Sequence, residues 1–197
     1  MLPMLSPDEL IDELSRYVTL SHHEALALLA RMRKIEFKKR DTLQNTGDRA
    51  DHFYWIREGC TMASYFDANG QEHVMQFAVA HWWTTDLKGF LQNTESELTI
   101  QALTDGWALA IRSDDYEALL EECPVYERYF RKIFANALVV HQRRIMRTIG
   151  ADAEAHYRAY LRDYPGIDQW VPQKYIASYL GITPEFLSKL RRRMVSK

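Results

Sequence analysis

Near the C-terminus, Gln173 to Arg193 (QKYIASYLGITPEFLSKLRRR) holds side chains able to read nucleic acid at a spacing that would display them. Ile176, Ala177, Leu180, Ile182, Leu187 and Leu190 recur at the intervals of two short helices with facing inner sides. Ala177 is small where such helices cross, and Gly181 stands where the chain needs a positive φ to leave the first helix. Thr183 can cap the second helix, with Pro184 at its first position and Glu185 near its positive end. The outer side of that helix then carries Glu185, Ser188, Lys189 and Arg192. The pattern predicts a helix-turn-helix; an ordinary helical hairpin is the alternative. In a major groove Glu185 would accept from cytosine N4, Lys189 would donate to guanine, and Ser188 would complete the base-reading set. Gln173, Lys174, Thr183, Arg191 and Arg192 would hold phosphates, which fixes register without reading sequence. Phe186 falls on a partly exposed face, where packing is the expected role over contact with thymine methyls.

The charge distribution agrees with this reading. The net charge of -2 over 197 residues conceals two opposed regions. From Arg143 onward there are 11 Lys/Arg against 5 Asp/Glu, whereas residues 1–142 hold 14 basic and 22 acidic groups. A cationic end on an acidic body suits a chain that meets a phosphate backbone through its C-terminal third only.

Elements must position that end. Ser6-Pro7-Asp8-Glu9 reads as a helix cap followed by Leu10, Leu14 and Tyr17 on one face; a second helix is expected over Ser21 to Arg33 with Leu26, Leu29 and Ala30 inward. From Ile35 to Arg112 short apolar or alternating runs are separated by turn signals at Gly47, Gly59, Asn69-Gly70 and Gly106. Six to eight strands in that span predict an antiparallel barrel or jelly roll, with Asn69-Gly70 at a hairpin tip. A short helix capped by Ser113 ends at Cys123, and a long one starts at Pro124 and runs to about Thr148. Tyr126, Tyr129/Phe130, Ile133/Phe134, Ala137, Val140 and Ile145 form a heptad-like stripe on it, which predicts pairing with a second copy of the chain through Tyr126, Tyr129, Ile133, Ala137 and Val140; a purely intramolecular helix is the alternative. Ile149-Gly150-Ala151 is the expected hinge, followed by a helix over residues 152–164 and a break at Pro165-Gly166. The fold class is therefore α+β, with a jelly-roll unit and its long helix over residues 1–148 and a helical unit over 151–197. Only Pro165 to Pro172 separates the helices ahead of the motif, so a full β-wing is not expected.

Helices, a glycine-punctuated barrel, a long helix and a helix-turn-helix, in that order, resemble the Crp/Fnr family of bacterial transcription regulators. LQNTGDRADHFYWIREGC and FDANGQEHVMQF are similar to its cyclic-nucleotide-binding-like barrel, and AEAHYRAYLRDYPGIDQWVPQKYIASYLGITPEFLSKLRRR to the DNA-binding end of a divergent branch common in Bacteroidetes. The resemblance implies a dimeric, sequence-specific DNA-binding regulator on a near-palindromic site, with no catalytic activity. It would also imply cyclic AMP, but the family's phosphate cassette is altered here. Asp86 stands at its ribose-binding Glu position, His81 and Thr85 where glycines are expected, and Ser96 and Glu97 where an Arg-Ser or Arg-Thr pair should be. A buried cyclic phosphate needs a cation, ideally a guanidinium, and a carboxylate in its place repels it. The expectation is a barrel that does not bind cyclic AMP. Trp82, Trp83 and Phe90 would either line a pocket for another effector, apolar or cationic, or form core.

Other chemistry is not expected. His73 and His81 with Glu72 lack identifiable further ligands for a metal, and Cys60 and Cys123 are too few for an iron–sulfur cluster. No Walker loop, dinucleotide fingerprint or nucleophile elbow occurs, so no cofactor and no catalysis are expected. Hydrophobic content of 47% with 12% aromatics supports a packed interior, while no apolar run is long enough to span a membrane. Two distant thiols and an acidic N-terminus point to the cytoplasm, without a secretion signal. The expected partners are duplex DNA, a second copy and an unidentified effector, with RNA polymerase added by the resemblance. The rival from another class is a sensing module that acts through a protein partner and does not regulate genes.

Overall fold

The computed structural model describes residues 5–150 and 152–195. Two helices open the chain, α1 (Pro7–Leu14) and α2 (His22–Arg31). Each starts at a reciprocal capping box, Ser6 with Glu9 and Ser21 with Glu24, so the first turn's free amides are satisfied locally. Leu10, Leu14, Ala25 and Leu28 are the buried positions of this pair. Leu26 and Ala30 are exposed and Leu29 is half-buried, because the inner face of α2 is set by Ala25 and Leu28.

Eight strands follow among the described residues, β1 (Met32–Phe37), β2 (Thr42–Gln44), β3 (His52–Glu58), β4 (Thr61–Phe66), β5 (Glu72–Ala78), β6 (Trp83–Thr84), β7 (Thr99–Ala102) and β8 (Gly106–Arg112). All pairings are antiparallel, in two four-stranded sheets ordered β1-β8-β3-β6 and β2-β7-β4-β5. This is the jelly roll that the spacing of turn residues predicts. The β4–β5 hairpin turns at Asn69-Gly70, with Gly70 at φ 77°.

Strand alternation divides the barrel's interior from its outer core. On β3 and β8, Tyr54, Ile56, Ala108 and Ala110 face the opposite sheet, where Ala63, Ala78, Ile100 and Ala102 meet them. Their neighbours Phe53, Trp55, Leu109 and Ile111 face outward into an aromatic layer shared with the helices. Trp55 stacks on Trp83 with 5.4 Å between centroids, and Phe53 packs against Trp83, Phe90 and Phe130.

A short helix, α3 (Leu87–Gln92), lies between β6 and β7; α4 (Ser113–Glu122) and the 26-residue α5 (Val125–Gly150) follow the barrel. Ser113 is the first residue of α4, not its cap. Gly150 still belongs to α5, and Ala151, the last residue of the expected hinge, lies outside the described residues. The C-terminal unit is α6 (Ala153–Asp163), a 3-10 turn at Ile167–Gln169, α7 (Gln173–Leu180) and α8 (Pro184–Val195). Among the described residues no strand lies beyond β8, and no helix is long and apolar enough to cross a membrane.

One glycine is fixed by close approach. A Cβ on Gly106 would stand 2.1 Å from the Glu58 carbonyl oxygen and 2.8 Å from the Phe37 ring, whereas one on Gly150 meets nothing. Gly106→Ala is expected to cost about 2 kcal/mol, read as a lower thermal unfolding midpoint, and Gly150→Ala less than about 0.5 kcal/mol. Equal midpoints for the two variants would refute the crowding argument.

Candidate nucleic-acid interface and the seam behind it

α7 and α8 are joined as the residue types require. Gly181 takes the left-handed conformation at φ 70°, and the Ile182 amide donates back to the Ala177 carbonyl at 3.0 Å. Thr183 Oγ1 then accepts from the Phe186 amide at 3.2 Å and so caps α8. Ile176, Ala177, Leu180, Leu187 and Leu190 are buried and Ile182 packs against them. Glu185, Lys189 and Arg192 are exposed, Ser188 is half-buried, and Gln173, Lys174 and Thr183 are exposed. The Glu185 carboxyl is held below its ordinary pKa by its own backbone amide first, then by the Thr183 hydroxyl and Lys189. Lys174 lies over the Tyr175 ring at 4.4 Å. Arg191 differs from its neighbours: it donates to Asp168 at 3.1 Å, tying α8 to the 3-10 turn. Phe186 remains 45% exposed, so packing does not bury it.

The α7–α8 pair does not hang free. β5 is the edge of its sheet, so a row of its backbone groups has no strand partner. α7 and α5 supply the missing partners. Ser178 Oγ accepts from the Val74 amide at 2.9 Å and donates to the Glu72 carbonyl at 3.2 Å. Arg144 of α5 donates to the carbonyls of Met75 and, at 3.1 Å, Val74, with its guanidinium 4.3 Å from the Tyr179 ring centroid. Burial lowers its pKa from the ordinary arginine value, and Tyr179 and Tyr164 oppose the shift. Phe77 packs on Tyr160, Tyr164 and Tyr179, and Trp82 on Tyr164 at 5.3 Å. Burial drives the Tyr164 phenol well above its ordinary pKa, so this seam stays uncharged apart from Arg144. None of Arg144, Ser178, Tyr164 or Tyr179 stands out in the sequence, because nothing local marks which residues will meet a sheet edge.

The cassette segment is satisfied from within. Asp86 is buried and caps α3 by accepting from the Gly89 amide at 3.2 Å. Its other oxygen accepts from the Glu97 amide at 2.6 Å and the Ser96 hydroxyl at 3.3 Å. Ser96 is buried and also takes Gln44 Nε2 at 2.6 Å. Glu97 is exposed and paired with Lys88, and Arg49, another cation on this open cleft, donates to Asn93 at 2.8 Å. Phe90 is core. Trp83 is mostly core as well, its indole donating to the Tyr129 hydroxyl at 3.0 Å, while Trp82 is half-buried at the seam. Of the residues weighed for an effector pocket, Asp86, Ser96 and Glu97 thus lie at the cassette, Phe90 and Trp83 in the core, which is their other reading, and Trp82 at the seam. His73 bonds Asp67 and His81 bonds Glu13.

The stripe on α5 needs correction. Tyr126 and Tyr129 are 0% and 2% exposed, packed within one copy against the N-terminal helices, with the Tyr126 hydroxyl donating to the Glu24 carbonyl at 2.8 Å. They cannot reach a second copy. Ile133 packs on the same core, whereas Ala137 and Val140 are exposed at the edge of a cavity that they line, so the correction concerns the first half of the stripe. The most exposed apolar line shares Ile145 with that stripe: Leu138, Ile145 and Ile149 are 68%, 58% and 82% exposed, with Gln142 between them at four-three-four spacing and Met146 beside. That spacing is present in the sequence, where the larger aromatics mask it.

Residues 34–123 match the family of the cyclic nucleotide-binding domain. A search of curated proteins finds no match. Among solved structures, the c-di-GMP responsive global regulator CLP of Xanthomonas campestris superposes with a TM-score of 0.70. It covers 89% of this chain and 92% of its own at 15% identity. FixK2 of Bradyrhizobium japonicum gives 0.71 over 84% and 85% at 14% identity. A protein of Eubacterium rectale assigned to the Crp/Fnr transcriptional regulators gives 0.70 over 90% and 84%, also at 14%. At such identities the likeness is one of fold, and it extends from the barrel through the C-terminal helices.

Proposed function

We propose that this chain is a dimeric, sequence-specific DNA-binding transcription regulator of Crp/Fnr type, with residues 151–197 as its DNA-binding unit and residues 1–148 as its sensor. The observation that carries the reading is the solvent-facing side of α8. There Glu185, Ser188, Lys189 and Arg192 project from a capped helix in the basic third of an otherwise acidic chain. The N-terminal half of such a helix points into a major groove, so Glu185, Ser188 and Lys189 read base edges. Gln173, Lys174, Thr183 and Arg192 hold phosphates, and Arg191 acts from its bond to Asp168 as the residue that orients α8.

Pairing through Leu138, Ile145 and Ile149 of two copies would bury the exposed line on α5 and set two α8 helices on successive grooves, about 34 Å apart. The cassette favours a barrel that ignores cyclic AMP. Asp86 already places a carboxylate on the Glu97 amide, so an incoming phosphate would meet a negative charge with no guanidinium at the Ser96 position.

On duplex bearing a selected near-palindromic site, log affinity should fall with log salt at a slope of about −5 or steeper. Lys189→Ala should relax preference at one base pair by roughly tenfold, while Arg192→Ala should weaken all sequences alike and flatten the salt slope by about 1. A flat salt response, or the same loss of preference from both variants, would remove the assignment. Leu138→Glu combined with Ile145→Glu should convert the dimer to a monomer in sedimentation velocity and abolish two-half-site binding. A native-size dimer in that variant would overturn the α5 pairing. Cyclic AMP at millimolar concentration should leave the melting temperature unchanged, and a dose-dependent rise would contradict the reading of the cassette.

A further inference from the structure

We propose that the cavity where α5, the β5–β6 connection and the C-terminal helices meet is a ligand site for a planar aromatic anion, held between the two units of the chain. The cavity has a volume of about 430 Å3, within the range of small-molecule sites. It is separate from the cassette cleft around Lys88 and Glu97. Each unit supplies part of its wall: Ile133, Ala137 and Val140 from α5, Trp82 and Trp83 from the barrel, Tyr164 and Tyr179 from the C-terminal helices.

The lining chemistry selects the ligand. Five aromatic rings from two units, Tyr17 among them, line one space, which suits a flat ring system. Among the described residues no Asp or Glu lines the cavity, and Arg16, an exposed lining residue, lies 4.8 Å from the Tyr17 ring with no carboxylate partner. Gln76 and Asn136 add amide donors. Glu13, which bonds the lining residue His81, is also engaged by Arg57 at 2.8 Å. His141 on the wall is pushed below its ordinary pKa by burial first and Arg144 second, so at neutral pH it offers a neutral imidazole and adds no charge. The lining therefore combines aromatic and apolar surface with one cation, Arg16, that no carboxylate neutralises, which favours an acid group on the ring and disfavours an amine.

His81, which turns the β5–β6 connection at φ 71° and anchors it by its amide to the Ile56 carbonyl at 2.8 Å, also lines this cavity. An occupant touching Trp82 and Tyr179 together binds the docked arrangement of the two units and not an undocked one. It therefore stabilises the Ser178–Val74 bond between them. The regulatory meaning of the site rests on the DNA-binding reading; its existence does not.

The test titrates the full chain calorimetrically with 1-naphthalenesulfonate and with its cationic counterpart, 1-naphthylmethylammonium. The sulfonate should bind saturably, one per chain, at least tenfold tighter than the ammonium. Arg16→Gln should erase that preference, and Ala137→Trp should fill the cavity and abolish binding. If Ala137→Trp fails to fold, the exposed Arg16→Gln decides. Saturating sulfonate should slow amide exchange in the β5 segment that contains Val74. The proposal is overturned if the sulfonate does not bind, if the ammonium binds as tightly, if Arg16→Gln leaves the preference intact, or if exchange in β5 is unchanged or faster. Duplex binding measured in parallel separates the two readings. Steep salt-dependent DNA affinity without sulfonate binding sinks only the ligand site, and the reverse result sinks only the regulator.

Discussion

A sheet edge exposes amide and carbonyl groups that must find partners, and in this protein the edge strand β5 finds them in helices from outside the barrel. Ser178 takes the Val74 amide and the Glu72 carbonyl, and Arg144 takes the carbonyls of Val74 and Met75. Closing the edge in this way removes a surface that would otherwise recruit another strand. It also fixes α7 against the barrel, and α8 follows because Gly181 and Thr183 set the angle between them. The outward display of Glu185 and Lys189 therefore depends on two side chains that lie far from them.

The same docking explains the crowding of tyrosines. Tyr160, Tyr164 and Tyr179 ring Phe77 and leave only Arg144 charged. Rings bury large areas with few rotatable bonds, so they suit an interface that must hold two units at a defined angle. The packing does not fill the whole space, and the cavity beside Trp82 is where the three surfaces fail to close.

At the cassette, Asp86 caps α3 through one oxygen and accepts from the Glu97 amide through the other. The amides of Gly89 and Glu97 are thereby both taken by Asp86. Glu97 turns outward to Lys88, which avoids burying a second carboxylate beside the first.

Much of this architecture can be read from residue types alone. Gly70 and Gly181 need positive φ, Ser6 and Ser21 with their glutamates start helices, and alternation on β3 and β8 separates interior from outer core. These signals are local, acting over a turn or a strand, so the order of elements and the inner face of the α7–α8 pair follow from them. The α5 stripe shows the limit: Tyr126 and Tyr129 share a helical face with Ile133, and periodicity cannot say whether that face meets its own barrel or another copy. Nor could it tell that Arg191 would turn to Asp168 or that Trp82 would leave the cassette for the seam. Which amphipathic faces meet is a long-range choice, made by total apolar burial and by the unpaired groups of one strand edge. Sequence determined the helices, strands and turns because their causes lie within a few residues; tertiary structure alone decided the docked seam, its cavity and the line left open on α5, because those partners lie some 70 to 100 residues apart along the chain.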